Sequence, residues 1–336
     1  MKKIVTVVLA FGLLSALNPL SAADTGVSGF PFLKIDVENR SAAMGGTQLS
    51  TAATAMAVFT NPAVMARTNG LHAATGMTNW IADIRQFNGA VTYSSSALGT
   101  FGISGVWMDY GSFTRRYATE ASGGGFIDGG YQEGGSFSVA EYALGLVYAR
   151  PMTQHWQVGA HLKYAGQRLP AAIGGVGTMD DQTRDRSRNG LLLDVGTVYY
   201  PGFHDLRFGV SMKNMQSGAN SPDYGFQDLP MALSIGGAMD LFQLFGPPKS
   251  NHLTFAFDWL KEPDYQAAQH MGLELGLVNR LFLRGGYRFN DTTERLTAGF
   301  GINLGLNDVD MIVDYSYSSF GTTFGSVHRI AIGFGM

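Results

Sequence analysis

The feature that most limits what this chain can fold into is a recurring segment of about ten residues in which apolar and polar positions alternate and charge keeps to one parity. Near the C-terminus one parity reads Met271, Leu273, Leu275, Leu277, then Leu281, Leu283, Tyr287, Phe289, then Leu296, Ala298, Phe300, Ile302. It continues as Met311, Val313, Tyr315, Tyr317 and ends in Ile330, Ile332, Phe334, Met336, with no charge at any of these positions. The opposite parity carries His270, Glu274, Arg284, Arg288, Arg295, Asn303, Asp310, Asp314 and Arg329. Period two places the two sets on opposite faces of a strand. A soluble sandwich also alternates, but its strands average roughly five or six residues. Segments twice as long match the span that crosses hydrocarbon at a steep tilt. An ionised group on the lipid side would cost about 2 to 4 kcal/mol at mid-depth, which accounts for the partition.

Fourteen such segments are predicted, at 71–80, 84–94, 99–110, 138–150, 155–168, 189–200, 205–215, 229–240, 251–260, 268–277, 280–289, 294–303, 309–318 and 326–336. An even number closes into a cylinder, which pairs every backbone group in lipid and leaves no edge. Connection lengths give an independent test, since an outer-membrane barrel has short periplasmic turns and longer outer loops. With the first strand running outward, the short connections are 95–98, 151–154, 201–204, 278–279 and 304–308, and the long ones 111–137, 169–188 and 216–228. The linker around Pro247 and Pro248 is long for a periplasmic turn, and 81–83 and 290–293 are short for outer loops. Trp80, Trp107, Tyr148, Trp156, Tyr164, Tyr199 and Trp259 fall near strand ends, where amphipathic rings sit at the bilayer interface.

Composition agrees. Charged residues make up 15% of the chain, against about 25% in ordinary soluble domains. A formal net charge of -3 offers no basic field for nucleic acid, and the absence of cysteine excludes disulfides, thiolate metal sites and Cys nucleophiles. Lys2 and Lys3, the apolar run 4–17 and Ser21-Ala22-Ala23 have the pattern of a secretory signal peptide over residues 1–23. That run is shorter than the roughly 20 residues a spanning helix requires, and no later stretch of 18 uncharged apolar residues occurs. The expected organisation is a signal peptide (1–23), an N-terminal small-residue-rich plug or hatch segment (24–70) and an all-β, closed antiparallel transmembrane β-barrel of about 14 strands (71–336), in the outer membrane of a Gram-negative bacterium.

Residues 24–70 alternate poorly and contain Arg40-Ser-Ala-Ala-Met-Gly-Gly46 and Phe59-Thr-Asn-Pro-Ala-Val-Met65. Gly45 and Gly46 permit positive φ and close approach to a wall, and Pro62 disfavours the helical region at Asn61, which would stop a helix running from about Gln48 to Phe59. The block resembles the N-terminal hatch of the FadL superfamily, and more closely the PorV/PorQ family, in which a Met-Gly-Gly turn precedes a short helix and an Asn-Pro-Ala motif. The resemblance continues through Trp80-Ile-Ala-Asp-Ile84, Gly99-Thr-Phe-Gly-Ile103, Ala143-Leu-Gly-Leu-Val-Tyr-Ala-Arg150 and Val158-Gly-Ala-His-Leu-Lys-Tyr164. Val64 stands where the family usually has Gly, and Met336 replaces the aromatic residue that commonly ends a last barrel strand. The resemblance implies a fourteen-stranded barrel with Met44, Gly45, Gly46, Asn61, Pro62 and Ala63 in a segment folded into the lumen. It further implies a part in type IX secretion, as a shuttle or scaffold that binds the C-terminal domain of secreted cargo and passes it to surface attachment.

Catalytic and metal patterns are sparse. His72, His155, His161, His204, His252, His270 and His328 show no short metal-ligand spacing, and no Gly-x-Ser-x-Gly elbow occurs. His204-Asp205 lies in a predicted tight turn, and the Gly299/Gly301 and Gly333/Gly335 pairs fall within strands, where they let a neighbouring segment pack close. No enzyme, metal or cofactor is expected. The inward charges Glu274, Arg284, Arg288, Arg295, Asp310, Asp314 and Arg329 either line a transport pathway or form a cross-strand lattice, the reading favoured here. In the loop 169–188, Asp180, Asp181, Arg184, Asp185 and Arg186 alternate in sign and are candidate contacts for a partner. Two functions remain open: the secretion shuttle, with cargo and type IX secretion components as partners, and a FadL-like transporter in outer-membrane lipid whose N-terminal segment gates a hydrophobic ligand.

Overall fold

A computed structural model describes residues 29–47, 54–120, 126–168, 187–216, 230–246, 250–263, 265–291, 293–305 and 309–336. The strands are β1 (Gly70–Asn79), β2 (Arg85–Ser95), β3 (Gly99–Asp109), β4 (Phe113–Glu120), β5 (Phe126–Phe137), β6 (Ala140–Pro151), β7 (Trp156–Arg168) and β8 (Arg188–Tyr199). They continue as β9 (Arg207–Gln216), β10 (Ala232–Asp240), β11 (His252–Lys261), β12 (Ala268–Leu277), β13 (Leu281–Phe289), β14 (Leu296–Asn303), β15 (Asp310–Ser319) and β16 (Ser326–Gly335). All but β4 and β5 form one closed barrel of fourteen antiparallel strands in chain order, with β3 beside β6 and β16 closing onto β1. The fourteen strands expected from alternation are these fourteen, to within about three residues at their ends.

The alternation sorts the two faces of the barrel wall. Ile103, Leu144 and Leu146 are about 60% exposed on the outside, at 59%, 60% and 63%. Their neighbours Ser104, Ala143 and Val147 face inward and are buried. Burial follows a two-residue rhythm through β2 and β6. The tight hairpin at Val278 and Asn279 has φ of 52° and 53°, the mirror-image turn that suits the right-handed twist of paired strands.

One element was not expected. β4 and β5 pair as a separate hairpin within the connection 111–137, which the alternation leaves as a loop. Its sequence Phe113-Thr-Arg-Arg-Tyr-Ala-Thr-Glu120 puts charge on both parities, because a hairpin clear of the barrel has no lipid side to keep neutral.

The barrel's core is internal and shared. Phe30, Phe32, Val37, Met56, Val58, Val64 and Met65 of the N-terminal segment form one cluster with inward-facing Ala90, Val106, Met108, Ala143, Val147, Leu192 and Val198. Among its described residues the segment forms short turns: Pro31–Lys34, a helical turn Asn39–Ala43, then Ala55–Phe59 and Pro62–Arg67. The helix expected over 48–59 is corrected where it can be seen. Thr54 is extended (φ -140°, ψ 165°) and accepts from Met56 N–H, so only the turn Ala55–Phe59 follows it. Residues 1–28 and 48–53, the loop 169–186 with Asp180, Asp181, Arg184, Asp185 and Arg186, and Pro247 and Pro248 lie outside the described residues.

Candidate functional site

At two of the places where the N-terminal segment meets the wall, it lies on a cross-strand pair of glycines. Gly272 of β12 lies opposite Gly286 of β13, and Gly159 of β7 lies opposite Gly196 of β8. A Cβ on Gly286 would stand 2.0 Å from Gly45 N, and one on Gly272 would stand 2.5 Å from Met44 O. At the other pair a Cβ on Gly159 would meet Ala63 N at 2.5 Å, and one on Gly196 would meet Asn61 Oδ1 at 2.0 Å. The turn at Met44 can lie this close because Gly45 and Gly46 hold φ of 74° and 81°. Gly45 N–H donates to Thr297 Oγ1 at 2.9 Å, and Thr297 donates on to Ala43 O. Asn61 is extended, as its position before Pro62 requires, and its side chain accepts from Ala63 N–H at 3.0 Å to cap the turn Pro62–Arg67.

A buried ion lattice surrounds the first dock. Arg40 makes two parallel bonds of 2.7 Å to the Glu274 carboxylate, and Arg284 Nε reaches the same group at 2.7 Å. Arg284 also pairs with Asp314, and His252 Nε2 lies 3.2 Å from Glu274 Oε1. Toward the rim of long connections, Arg288 joins Asp36 and, at 2.9 Å, Glu294, while Arg329 donates to Asp36 O and Ser318 Oγ. Burial alone would raise the Asp36 carboxyl, but the Arg288 and Arg329 guanidiniums outweigh it and hold the pKa down to about 2. Glu38 behaves oppositely: burial pushes it up to about 7 against the opposing pull of Arg40. Glu274, Arg284, Arg288, Asp314 and Arg329 therefore come together. Arg295 and Asp310 do not, since both are exposed at strand ends, where the inward parity no longer leads into the lumen.

Two cavities adjoin the segment. One of about 320 Å³ lies beneath the rim of long connections, lined by polar groups that include Lys34, Asp36, His270, Arg288 and Asp291, with Tyr265 and Phe320. A smaller one of about 30 Å³ lies deeper, between Phe32, Leu33, Ile35, Val37 and Phe59 of the segment and Ser104, Val106 and Ala143 of the wall. Leu33, Asp36, Lys213 and Asn214 border both. On the outer face of the same wall, Phe87, Gly105, Trp107, Tyr142 and Leu144 shape an open groove that shares Val106 and Leu144 with the deeper cavity.

The deeper cavity also touches a polar cluster that no sequence pattern announces. Ser104 Oγ is 2.7 Å from His161 Nε2, and His161 Nδ1 is 3.5 Å from Asp194 Oδ2. Lys163 Nζ lies 2.7 Å from Asp194 Oδ1, and Asn214 N–H donates to the same oxygen at 2.7 Å. Asn214 adopts φ 57° at a bulge, where β9 spends extra residues opposite Asp194. These side chains come from four strands, so only the register brings them together.

No family model matches the chain, and no curated protein matches it. Solved structures do. The Pseudomonas putida toluene transporter TodX aligns with a TM-score of 0.56 at 13% identity, over 94% of this chain and 98% of that one. The Ralstonia pickettii toluene transporter TbuX gives 0.53 at 14% identity, over 88% and 96%. A Pseudomonas aeruginosa FadL homologue gives 0.52 at 10% identity, over 94% and 98%. At such identities the likeness is one of fold, that of FadL-like outer-membrane barrels of Gram-negative bacteria.

Proposed function

We propose that this chain is an outer-membrane transporter of hydrophobic small molecules, and that its N-terminal segment is the hatch that gates it. The observation that carries the reading is the series of adjoining spaces: a polar cavity below the outer rim, a small pocket of mixed lining between segment and wall, and a lipid-facing groove behind that pocket. The fold neighbours described as toluene transporters support the same direction. β3 pairs continuously with β6 across the pocket, so a molecule leaving sideways needs the wall or the segment to move. The proposal includes export after loss of residues 1–23 and a site in outer-membrane lipid, as the alternation implies.

Uptake of labelled toluene by cells expressing the barrel tests it. Saturable uptake above that of empty cells is expected, with a several-fold loss in Ala143→Phe, which fills the pocket. Uptake equal to that of empty cells, together with no lipid or hydrocarbon retained on purification, removes the reading.

The PorV/PorQ-like shuttle is the second reading, favoured by the way Met44, Gly45, Gly46, Asn61, Pro62 and Ala63 dock as two compact turns and by the long connections gathered at one rim. Recovery of secreted cargo or type IX components with the barrel from native membranes supports it, and their absence counts against it.

A further inference from the structure

The transport reading leaves the buried cluster on β3, β7 and β8 unused. We infer that Ser104, His161 and Asp194 act as nucleophile, base and orienting carboxylate, and that the barrel cleaves carboxylic esters of apolar acids at the deeper cavity. The order of groups is that of an acyl-transfer site: hydroxyl to imidazole at 2.7 Å, and the far imidazole nitrogen, which makes no hydrogen bond, 3.5 Å from the carboxylate it would turn to. A ring proton on Nδ1 would face Asp194 and leave Nε2 to accept from Ser104. Phe59 closes on the imidazole edge-on, with ring centroids 5.9 Å apart, and limits its tilt.

Gly145 makes the first contact possible. It lies on β6, directly opposite both Ser104 and Lys163, and a Cβ there would stand 2.2 Å from His161 Nε2 and 2.6 Å from Ser104 Oγ. Ser104 alone of the three borders the cavity, as the attacking group should, while His161 and Asp194 stand behind it. Phe32, Val37, Phe59, Val106 and Ala143 provide apolar walls for an acyl chain. Lys163 borders the same cavity with its Nζ held by Asp194 Oδ1 and Asn214 Oδ1, and so places a positive charge beside the site. About 30 Å³ holds roughly one water, so an ester enters only as the N-terminal segment shifts.

In the step itself Ser104 Oγ bonds to the ester carbonyl carbon while its proton passes to His161 Nε2. The carbon–alkoxy bond then breaks, and the alcohol leaves with that proton. Water attacks the acyl-serine with His161 again as base, which releases the acid and restores the hydroxyl.

The test uses the full barrel in detergent with a fluorophosphonate probe and p-nitrophenyl butyrate. Wild-type protein is expected to carry the probe on Ser104, located by peptide mass. Ser104→Ala and His161→Gln, each shown folded by heat-modifiable gel mobility, should lose ester cleavage by about 100-fold or more. Gly145→Ala, which keeps all three residues but whose Cβ would force His161 and Ser104 apart, should lose labelling as well. Wild-type protein unlabelled, or labelled elsewhere, overturns the inference even if the variants fail to fold. So does hydrolysis by Ser104→Ala at the wild-type rate. Toluene uptake by wild-type cells is measured alongside. Uptake without labelling removes this inference alone, and labelling without uptake removes the transport reading alone.

Discussion

At the scale of single residues, what a methyl group would meet separates one glycine from its neighbour. Gly285 and Gly286 are adjacent in β13, yet a Cβ on Gly285 meets nothing within 4 Å, while one on Gly286 stands 2.0 Å from Gly45 N and 2.3 Å from Met44 C. Both obstacles are backbone, which cannot rotate away as a side-chain tip would. Gly286→Ala is therefore expected to cost about 1 to 3 kcal/mol as an overpacked contact, relieved by lifting residues 44–46 off the wall. Limited proteolysis should cut the N-terminal segment faster in Gly286→Ala and leave Gly285→Ala like the wild type. Equal cleavage of the two variants would refute the docking.

The elements show why part of this molecule could be read directly and part could not. The barrel strands were legible because each carries its two faces separately: Leu281, Leu283 and Tyr287 stand on the outward, uncharged face whatever β12 or β14 contains. β4 and β5 answer to no such rule, and they were missed. Arg295 and Asp310 obey the inward parity and still end up exposed, because parity fixes a face and says nothing of depth. The docks and the lattice depend on pairs such as Arg40 and Glu274, 234 residues apart, and Ser104 and His161, 57 apart, which no local pattern encodes. The hairpin between β12 and β13 gives an element-scale prediction. Val278 is exposed, yet its φ is 52°, a region that a β-branched side chain resists and asparagine accepts. Val278→Asn should stabilise the barrel by about 1 kcal/mol, seen as a higher urea midpoint in lipid vesicles. An unchanged or lower midpoint would show that this turn stores no strain.

Across the whole molecule, the N-terminal segment works as a strut. One end is pinned by Arg40 and Gly45 to β12 and β13, and the other rests on Gly159 and Gly196 of β7 and β8, about a third of the way round the ring. The strut carries two carboxyls whose protons respond to docking in opposite senses. Glu38 is raised from 4.5 to about 7 by burial, so docking favours its neutral form; that contribution is complete below about 4.5 and disappears as pH climbs through 7. Asp36 is lowered from 3.8 to about 2, so its contribution holds above 3.8 and fails only in strong acid. Through Glu38 the segment should loosen as the pH climbs toward neutrality, while the lattice on Glu274 keeps it from leaving altogether. In a planar bilayer, single-barrel conductance should rise as the pH passes through about 7, where Glu38 ionises. Glu38→Gln, which keeps the shape and removes the titration, should hold conductance at its low value up to about pH 8. A wild-type barrel whose conductance is flat from pH 4.5 to 8, or a Glu38→Gln barrel that opens as readily as the wild type, would show that the burial of Glu38 does not govern the strut.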